Sequence, residues 1–248
     1  MATVHLVLQG KGGVGKTMLA TVLAQYLRER GRSLLCVDTD PINATFFGFG
    51  ALEVQRLEIM EGDEINSRNF DAWVDLVATT ESEHVITDNG ASSFVPLAYY
   101  LVSNEIPGLL ASMGHTVTVH TVITAGQALL DTLTGFDALA RQLPTECRFV
   151  VWLNPFWGEV TLDGKTFEEM AVYKAHKKRV SAIVRIPRLK EELHGHDFRK
   201  LLESRLTFAE ALAAPEIGIM VRQRLQQIRR GIFDRLDEAA ILDLEAAA

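Results

Sequence analysis

Short apolar runs punctuate the chain, each ending on a polar or turn-forming residue: residues 4–9, 33–37, 84–87, 116–124, 148–153 and 181–186. Runs of this length, rich in Val, Ile and Leu, read as strands buried on both faces, the mark of a parallel sheet. Between them the apolar positions switch to helical spacing over residues 17–30, 70–77, 94–102, 126–142, 167–178 and 189–202. Strand and helix in alternation predict an α/β fold, a mostly parallel twisted sheet with helices on both faces. A last helix is expected over residues 216–240, where Val221, Leu225, Ile228, Ile232 and Leu236 form a core-facing stripe. Residues 50–68 break the pattern: Leu52, Val54, Leu57 and Ile59 fit either an edge strand or an ordered loop. No linker or internal repeat divides the chain. Residues 1–243 are expected to form one domain, and residues 244–248 a tail.

The join between the first strand and the first helix carries the most chemistry. Gly10-Lys11-Gly12-Gly13-Val14-Gly15-Lys16-Thr17 has two glycines in phosphate-loop spacing before Lys-Thr, in a strand–loop–helix setting. Gly10, Gly12, Gly13 and Gly15 let the backbone curl and aim N–H groups at one point, and the helix N-terminus adds partial positive charge there. Lys16 is expected on the β- and γ-phosphates and the Thr17 hydroxyl on Mg²⁺, with Val14 and Met18 completing the nucleotide contact. Lys11 is a second cation that folding the loop does not require.

Acids follow the strands on the same edge. Asp38 and Asp40 stand two apart after the second strand, so both can face the phosphates. Asp88 ends the third strand, where such an acid holds metal-bound water. Thr17, Asp38 and Asp88 are thus the expected metal residues, and Asp40 is placed to polarise a water. Each Asp could instead cap a turn. Asn154, after the fifth strand, could read a base edge or make an Asx turn before Pro155. Pro187 could cover a base or simply end its strand.

Composition narrows the setting. The formal net charge of −7 argues against a protein that coats DNA broadly. Cys36 and Cys147 fall in strand-like runs without a CxxC pair, as expected of reduced core thiols in a cytoplasmic protein. No apolar run is long enough to span a membrane. His194-Gly195-His196-Asp197 lacks a second ligand cluster and reads as a polar loop or helix start.

The loop Lys11–Thr17, followed by Asp38-Thr39-Asp40-Pro41, resembles the deviant-Walker-A ATPases of the ParA/MinD group, P-loop NTPases of the SIMIBI class. Within that group, residues 7–11, 88–96, 126–131 and 150–155 are similar to plasmid conjugal-transfer members, over nearly the full length. The resemblance implies an ATP/ADP switch with Mg²⁺ that closes as a homodimer and hydrolyses slowly in plasmid transfer. It implies that Lys11 reaches the partner's nucleotide, Lys16 serves its own subunit, Asp40 orients the water and Asn154 contacts adenine. Partners would be other plasmid-transfer proteins; a DNA or membrane surface is possible but the net charge does not indicate it. The chain departs from the group at Ile42, where many members have Gln, and at Asp88-Asn89-Gly90-Ala91, which lacks the usual prolines. Two other functions fit the same scaffold: a phosphoryl-transfer metabolic enzyme, and a nucleotide-binding interaction protein without turnover. Arg222, Arg224, Arg229, Arg230 and Arg235 on the last helix are diluted by acids and read as a solvated face.

Overall fold

The computed structural model describes residues 1–62 and 64–242, so the expected tail lies outside the described residues. The strands are β1 (Thr3–Val7), β2 (Leu34–Asp38), β3 (Gln55–Arg56), β4 (Met60–Glu61), β5 (Glu64–Ile65), β6 (His84–Asp88), β7 (Thr116–Thr124), β8 (Arg148–Asn154), β9 (Thr161–Leu162), β10 (Lys165–Thr166) and β11 (Val180–Arg185). The helices are α1 (Lys16–Glu29), α2 (Asn69–Thr79), α3 (Phe94–Ser103), α4 (Ile106–Ser112), α5 (Leu129–Gln142), α6 (Ala171–His176), α7 (His196–Glu203), α8 (Phe208–Ala213) and α9 (Ile219–Glu238).

Among the described residues, seven strands form one sheet in the order β11-β8-β7-β1-β6-β2-β3, and every neighbouring pair is parallel. β1 lies at the centre. The chain leaves it towards β2 on one side and later crosses from β6 to β7 on the other. Strand order therefore reverses beside β1, and a crevice opens at the carboxyl ends of the central strands, where ligands bind in open α/β sheets. One face is covered by α2, α3, α4 and α5 through residues such as Phe70, Trp73, Leu101 and Phe136. The other is covered by α1, α7, α8 and α9, with Leu23, Phe198, Phe208 and Ile232 buried against Val7, Ile86 and Trp152. Burying each such large side chain is worth roughly 1.5–3 kcal/mol, which holds β1 and the start of α1 in register.

A polar chain crosses the α1 side of the sheet. The Trp152 indole N–H donates to His120 Nδ1 (2.9 Å), His120 Nε2 lies 2.9 Å from His5 Nδ1, and His5 Nε2 lies 3.0 Å from His84 Nδ1. An indole N–H can only donate. His120 Nδ1 must therefore be bare and its Nε2 must carry the proton. The same logic passes to His5 and then His84, so all three buried rings are neutral Nε2–H tautomers. Burial pushes all three pKa values down, His84 to about 4 and His120 to about 3.

The elements differ from the sequence pattern in particular places. Residues 50–68 supply the edge strand β3, which joins β2, and the small hairpin β4–β5. The helix expected over residues 167–178 is regular only over α6. Phe167 drops into the core and a Thr166–Glu169 capping box opens a tight turn there. At its far end the chain tightens again, and the Arg179 guanidinium turns inward to donate to the carbonyls of Ala140, Leu143, Pro144 and Cys147. The helix expected from residue 189 begins as a π turn, Glu191–Gly195, before α7. The short elements α4, α8 and β9–β10 carry too few apolar repeats to be legible. In the α9 stripe Leu225, Ile228, Ile232 and Leu236 are buried, with Val221 at its margin. Cys36 and Cys147 are free and buried, and burial pushes both thiols up to about 12. Among the described residues no helix is long and apolar enough to cross a membrane.

Candidate functional site

The loop after β1 sits in the crevice. Gly13 and Gly15 adopt positive φ (73° and 104°), where a Cβ is strained. Gly15 caps α1, and the first turn of α1 holds no acid that would repel an anion. A Cβ on Gly15 would also stand 3.1 Å from Asn154 Nδ2 and 3.2 Å from Met18 Cε, so the base side of the loop tolerates only glycine. Gly10 is hemmed in by the Phe94 ring, which a Cβ would meet at 3.2 Å. The strand end is fixed by Gln9, whose amide donates to Thr121 Oγ1, Val122 O and Thr132 O.

Lys16 is buried and its ammonium donates to Lys11 O at 3.0 Å, closing over the loop. Burial lowers its pKa, opposed by Asp88 and Asp40. Thr17 Oγ1 donates to Asp88 Oδ2 at 2.6 Å. The other Asp88 oxygen, Oδ1, is buried with no hydrogen-bond partner, and burial pushes this carboxyl up to about 7, helped by Asp38 and Asp40 nearby. An orphaned carboxylate oxygen beside a hydroxyl, under the cradle of the loop, fits a hard cation. Among the described residues no group of three or more His, Cys, Asp or Glu could hold a metal. Mg²⁺ needs no such cage, since it keeps waters and takes phosphate oxygens for most of its shell.

Asp38 and Asp40 are placed differently from each other. Asp38 is fully buried, its Oδ1 accepts from the Asp40 N–H and its Oδ2 from the Phe47 N–H, both at 2.9 Å. Both oxygens accept from backbone donors, so Asp38 organises residues 40–47. Burial nonetheless raises its pKa. Asp40 is partly exposed; its Oδ1 accepts from the Ile42 and Asn43 N–H groups, and its carboxyl abuts Gly90, where a Cβ would come within 2.7 Å. The segments after β2 and β6 therefore touch. Thr39 Oγ1 donating to Asn89 Oδ1 at 2.7 Å strengthens that seam.

Two cavities flank the loop and share Gly13, Gly15 and Met18. One, about 440 Å³, is lined by Gly12, Lys16, Thr17, Asp40, Ile42 and Ser92. The other, about 610 Å³, is lined by Val14, Asn154, Phe156, Pro187, Phe198 and Arg199 among others. The first is polar and sized for phosphates, the second has apolar walls suited to a base. Asn154 donates through Nδ2 to Val14 O (3.0 Å) while its Oδ1 accepts from the Phe156 N–H (3.1 Å). Asn154 makes the expected Asx turn, and it also lines this second cavity. Pro187 ends its strand and lines the same wall.

Lys11 pairs with Asp131 Oδ2 at 2.8 Å, both side chains about half exposed on the rim. Asp131, Gln9, Asn89 and Phe94 are site residues that local spacing alone did not single out. Gln9 and Asn89 stand just after strand ends, whereas Phe94 and Asp131 lie on α3 and α5; all four fall within the stretches 7–11, 88–96 and 126–131 that carry the resemblance. His194 and Gln227 pair at the surface, while Asp197 is buried against Arg224. Arg229 pairs with Glu29 and Arg235 with Glu238, so much of the α9 charge is neutralised within the protein.

Residues 5–228 match the family described as the CobQ/CobB/MinD/ParA nucleotide binding domain. The chain is 59% identical over 242 residues to Protein TraL of Escherichia coli, covering 98% of this chain and 100% of that protein. Its fold is similar to a chain of the MinC:MinD cell division protein complex of Aquifex aeolicus (TM-score 0.56, 15% identity, 92% of this chain and 94% of that chain). It is also similar to a ParA family ATPase from Chlorobium tepidum TLS (TM-score 0.54, 16% identity, 94% and 96% covered).

Proposed function

The chain belongs to the CobQ/CobB/MinD/ParA nucleotide-binding family, and on that footing we propose that it is a nucleotide-switched ATPase of plasmid conjugative transfer. Residues 1–243 act as one cytoplasmic unit that binds ATP with Mg²⁺, closes as a homodimer and reopens on slow hydrolysis. The likeness to Protein TraL over the whole chain supports the transfer setting, and other transfer proteins are the expected partners.

Lys11 carries the reading. Its ammonium stands half exposed on the rim and, among the described residues, pairs with a comparably exposed Asp131, so it is free to change partner at little cost. Around that rim, exposed apolar side chains follow strand ends: Ile42 after β2, Leu130 after β7, Phe156 and Trp157 after β8. Because the sheet is parallel, these loops share one edge. A second copy seated face to face would bury this fringe and bring its own Lys11 onto the opposite nucleotide.

Within each subunit Lys16 leaves Lys11 O for the β- and γ-phosphates, and the loop N–H groups hold the phosphate oxygens. Thr17 would hold Mg²⁺ directly and Asp88 through water, and the ion supplies charge neutralisation on those phosphates. Asp40, aimed at the phosphate cavity, orients the attacking water. Asp38 keeps residues 40–47 in place for it. Val14, Met18, Asn154 and Pro187 seat the base.

Light scattering and phosphate release with ATP test this on the parent chain and on Lys16→Ala, Lys11→Ala and Asp40→Ala. The parent should dimerise only with ATP. Lys16→Ala should lose nucleotide, Lys11→Ala should bind it as a monomer, and Asp40→Ala should dimerise without turnover. A Lys11→Ala chain that dimerises and hydrolyses like the parent would sink the reading.

A further inference from the structure

Between Arg68 and Arg141 the sequence contains no lysine or arginine but eight aspartates and glutamates. That stretch builds β6, β7, α2, α3, α4 and most of α5, so α2, α3 and α4 bring acid but no Lys or Arg to their flank of the sheet, and the one Arg of α5, Arg141, is paired with Asp137. The same flank carries an apolar stripe. Val95, Tyr99 and Val102 recur along α3 at positions i, i+4 and i+7, and Leu109 of α4 and Met113, which caps its C-terminal end, add two more exposed apolar side chains. All five are between 41% and 71% exposed. Their neighbours Leu97, Leu101, Ile106 and Leu110 are buried in the core, so the stripe is the outward face of two firmly seated helices. Single exposed apolar side chains are ordinary, but a row of five across two packed helices marks a contact surface.

Acids rim the row. Asp71 of α2 accepts from the Tyr100 O–H at 2.5 Å, and Asp75 acts electrostatically on the same hydroxyl. Glu105 stands in the turn between α3 and α4, held at φ 51°. In residues 89–114 it is the single charged residue.

We propose that the α3–α4 face docks a cationic amphipathic helix of a partner protein. Apolar side chains at helical spacing would cover the stripe, and lysines or arginines beside them would meet Asp71, Asp75 and Glu105. The charge decides among occupants. Anionic lipid and nucleic acid are repelled by the rim. A second copy using the same face would set these acids against themselves, because an isologous contact repeats its own charges. The inference goes beyond the ATP switch and does not depend on it. The face does start beside the nucleotide, since Phe94 at the head of α3 abuts Gly10 of the phosphate loop.

The probe is a labelled peptide of about 18 residues, long enough for five turns, with Leu at helical spacing and Lys elsewhere. Its fluorescence anisotropy is followed against the full chain without nucleotide, beside a matched Leu/Glu peptide. The Lys peptide should bind saturably and the Glu peptide should not. Tyr99→Ser with Val102→Ser should weaken binding at least about tenfold, and Glu105→Gln several-fold, with melting transitions unchanged. Absence of saturable binding, equal binding of the Glu peptide, or indifference to the paired Ser variant would overturn the proposal. So would sedimentation in which the paired Ser variant converts a parent dimer to monomer, which would assign the face to a second copy.

Discussion

Acidification from about pH 7.5 to about pH 5.5 should weaken the fold through its buried histidines. His5, His84 and His120 form one directional chain starting at the Trp152 N–H. A proton added to any Nδ1 collides with a donor already aimed at it. Burial above all holds the folded pKa values below the ordinary value near 6.5, at about 4 for His84 and about 3 for His120, with His5 lowered as well. A group held neutral in the folded state contributes stability that is complete above its unfolded pKa and is lost as pH falls towards the folded one. At pH 5.5 each unfolded ring has gained a proton worth about 1.4 kcal/mol, so the three together cost about 4 kcal/mol. Asp88 works in the opposite direction. Its carboxyl, pushed up to about 7, takes a proton in the folded state over this range and returns about 2 kcal/mol. These four groups together should therefore cost the parent about 2 kcal/mol, and the three histidines alone an Asp88→Asn variant about 4 kcal/mol, out of a total of about 5–15 kcal/mol typical of domains, so the difference of about 2 kcal/mol between the two chains is the quantity to read. Urea unfolding followed by circular dichroism at the two pH values, without nucleotide or metal, measures both. Nitrogen-detected NMR should find all three rings as Nε2–H tautomers. Equal losses in parent and variant, or any of the three titrating near 6.5 in the folded protein, would refute the reasoning.

Asp88→Asn should also raise the stability of the metal-free protein near pH 8 by about 1–3 kcal/mol, since it removes a buried carboxylate with an unpartnered oxygen; the same change should abolish the Mg²⁺-dependent part of ATP affinity, read by calorimetry with and without EDTA. Gly15→Ala should cost about 1–3 kcal/mol, from its positive φ and its approach to Asn154 and Met18, and weaken nucleotide binding at least about tenfold in the same titration. Arg179→Ala should cost about 2–4 kcal/mol in thermal melts, because four backbone carbonyls lose a shared donor and the Phe149 ring loses its cation. Arg179→Lys should recover less than half, as an ammonium cannot reproduce the fork.

The strands and the phosphate loop were legible because their signal is local. Residues 3–7 and 84–88 are short β-rich runs buried on both faces, and Gly13 and Gly15 stand where the backbone must turn left-handed. Asp38 shows where locality ends. Its spacing from Asp40 suggested two acids facing one ligand, yet two backbone N–H groups claim its oxygens, a result set by how residues 40–47 fold back. The Lys11–Asp131 pair and the His5–His120 link join residues more than a hundred positions apart, so neither leaves a short-range pattern. Phe167 broke the helix expected there because core burial outweighed the helical propensity of its neighbours.

The segment after β2 has a consequence for how fast the protein could respond to its nucleotide. Asp38 and Asp40 between them accept four backbone N–H bonds across residues 40–47. That segment is already folded before any ligand arrives, and it leans on Gly90 across the seam. Ordering a free loop costs roughly 1–2 kcal/mol for each residue fixed, and here that cost falls on folding and is absent from binding. In the proposed dimer, closure would then be a rigid displacement of two abutting segments that needs no conformational search.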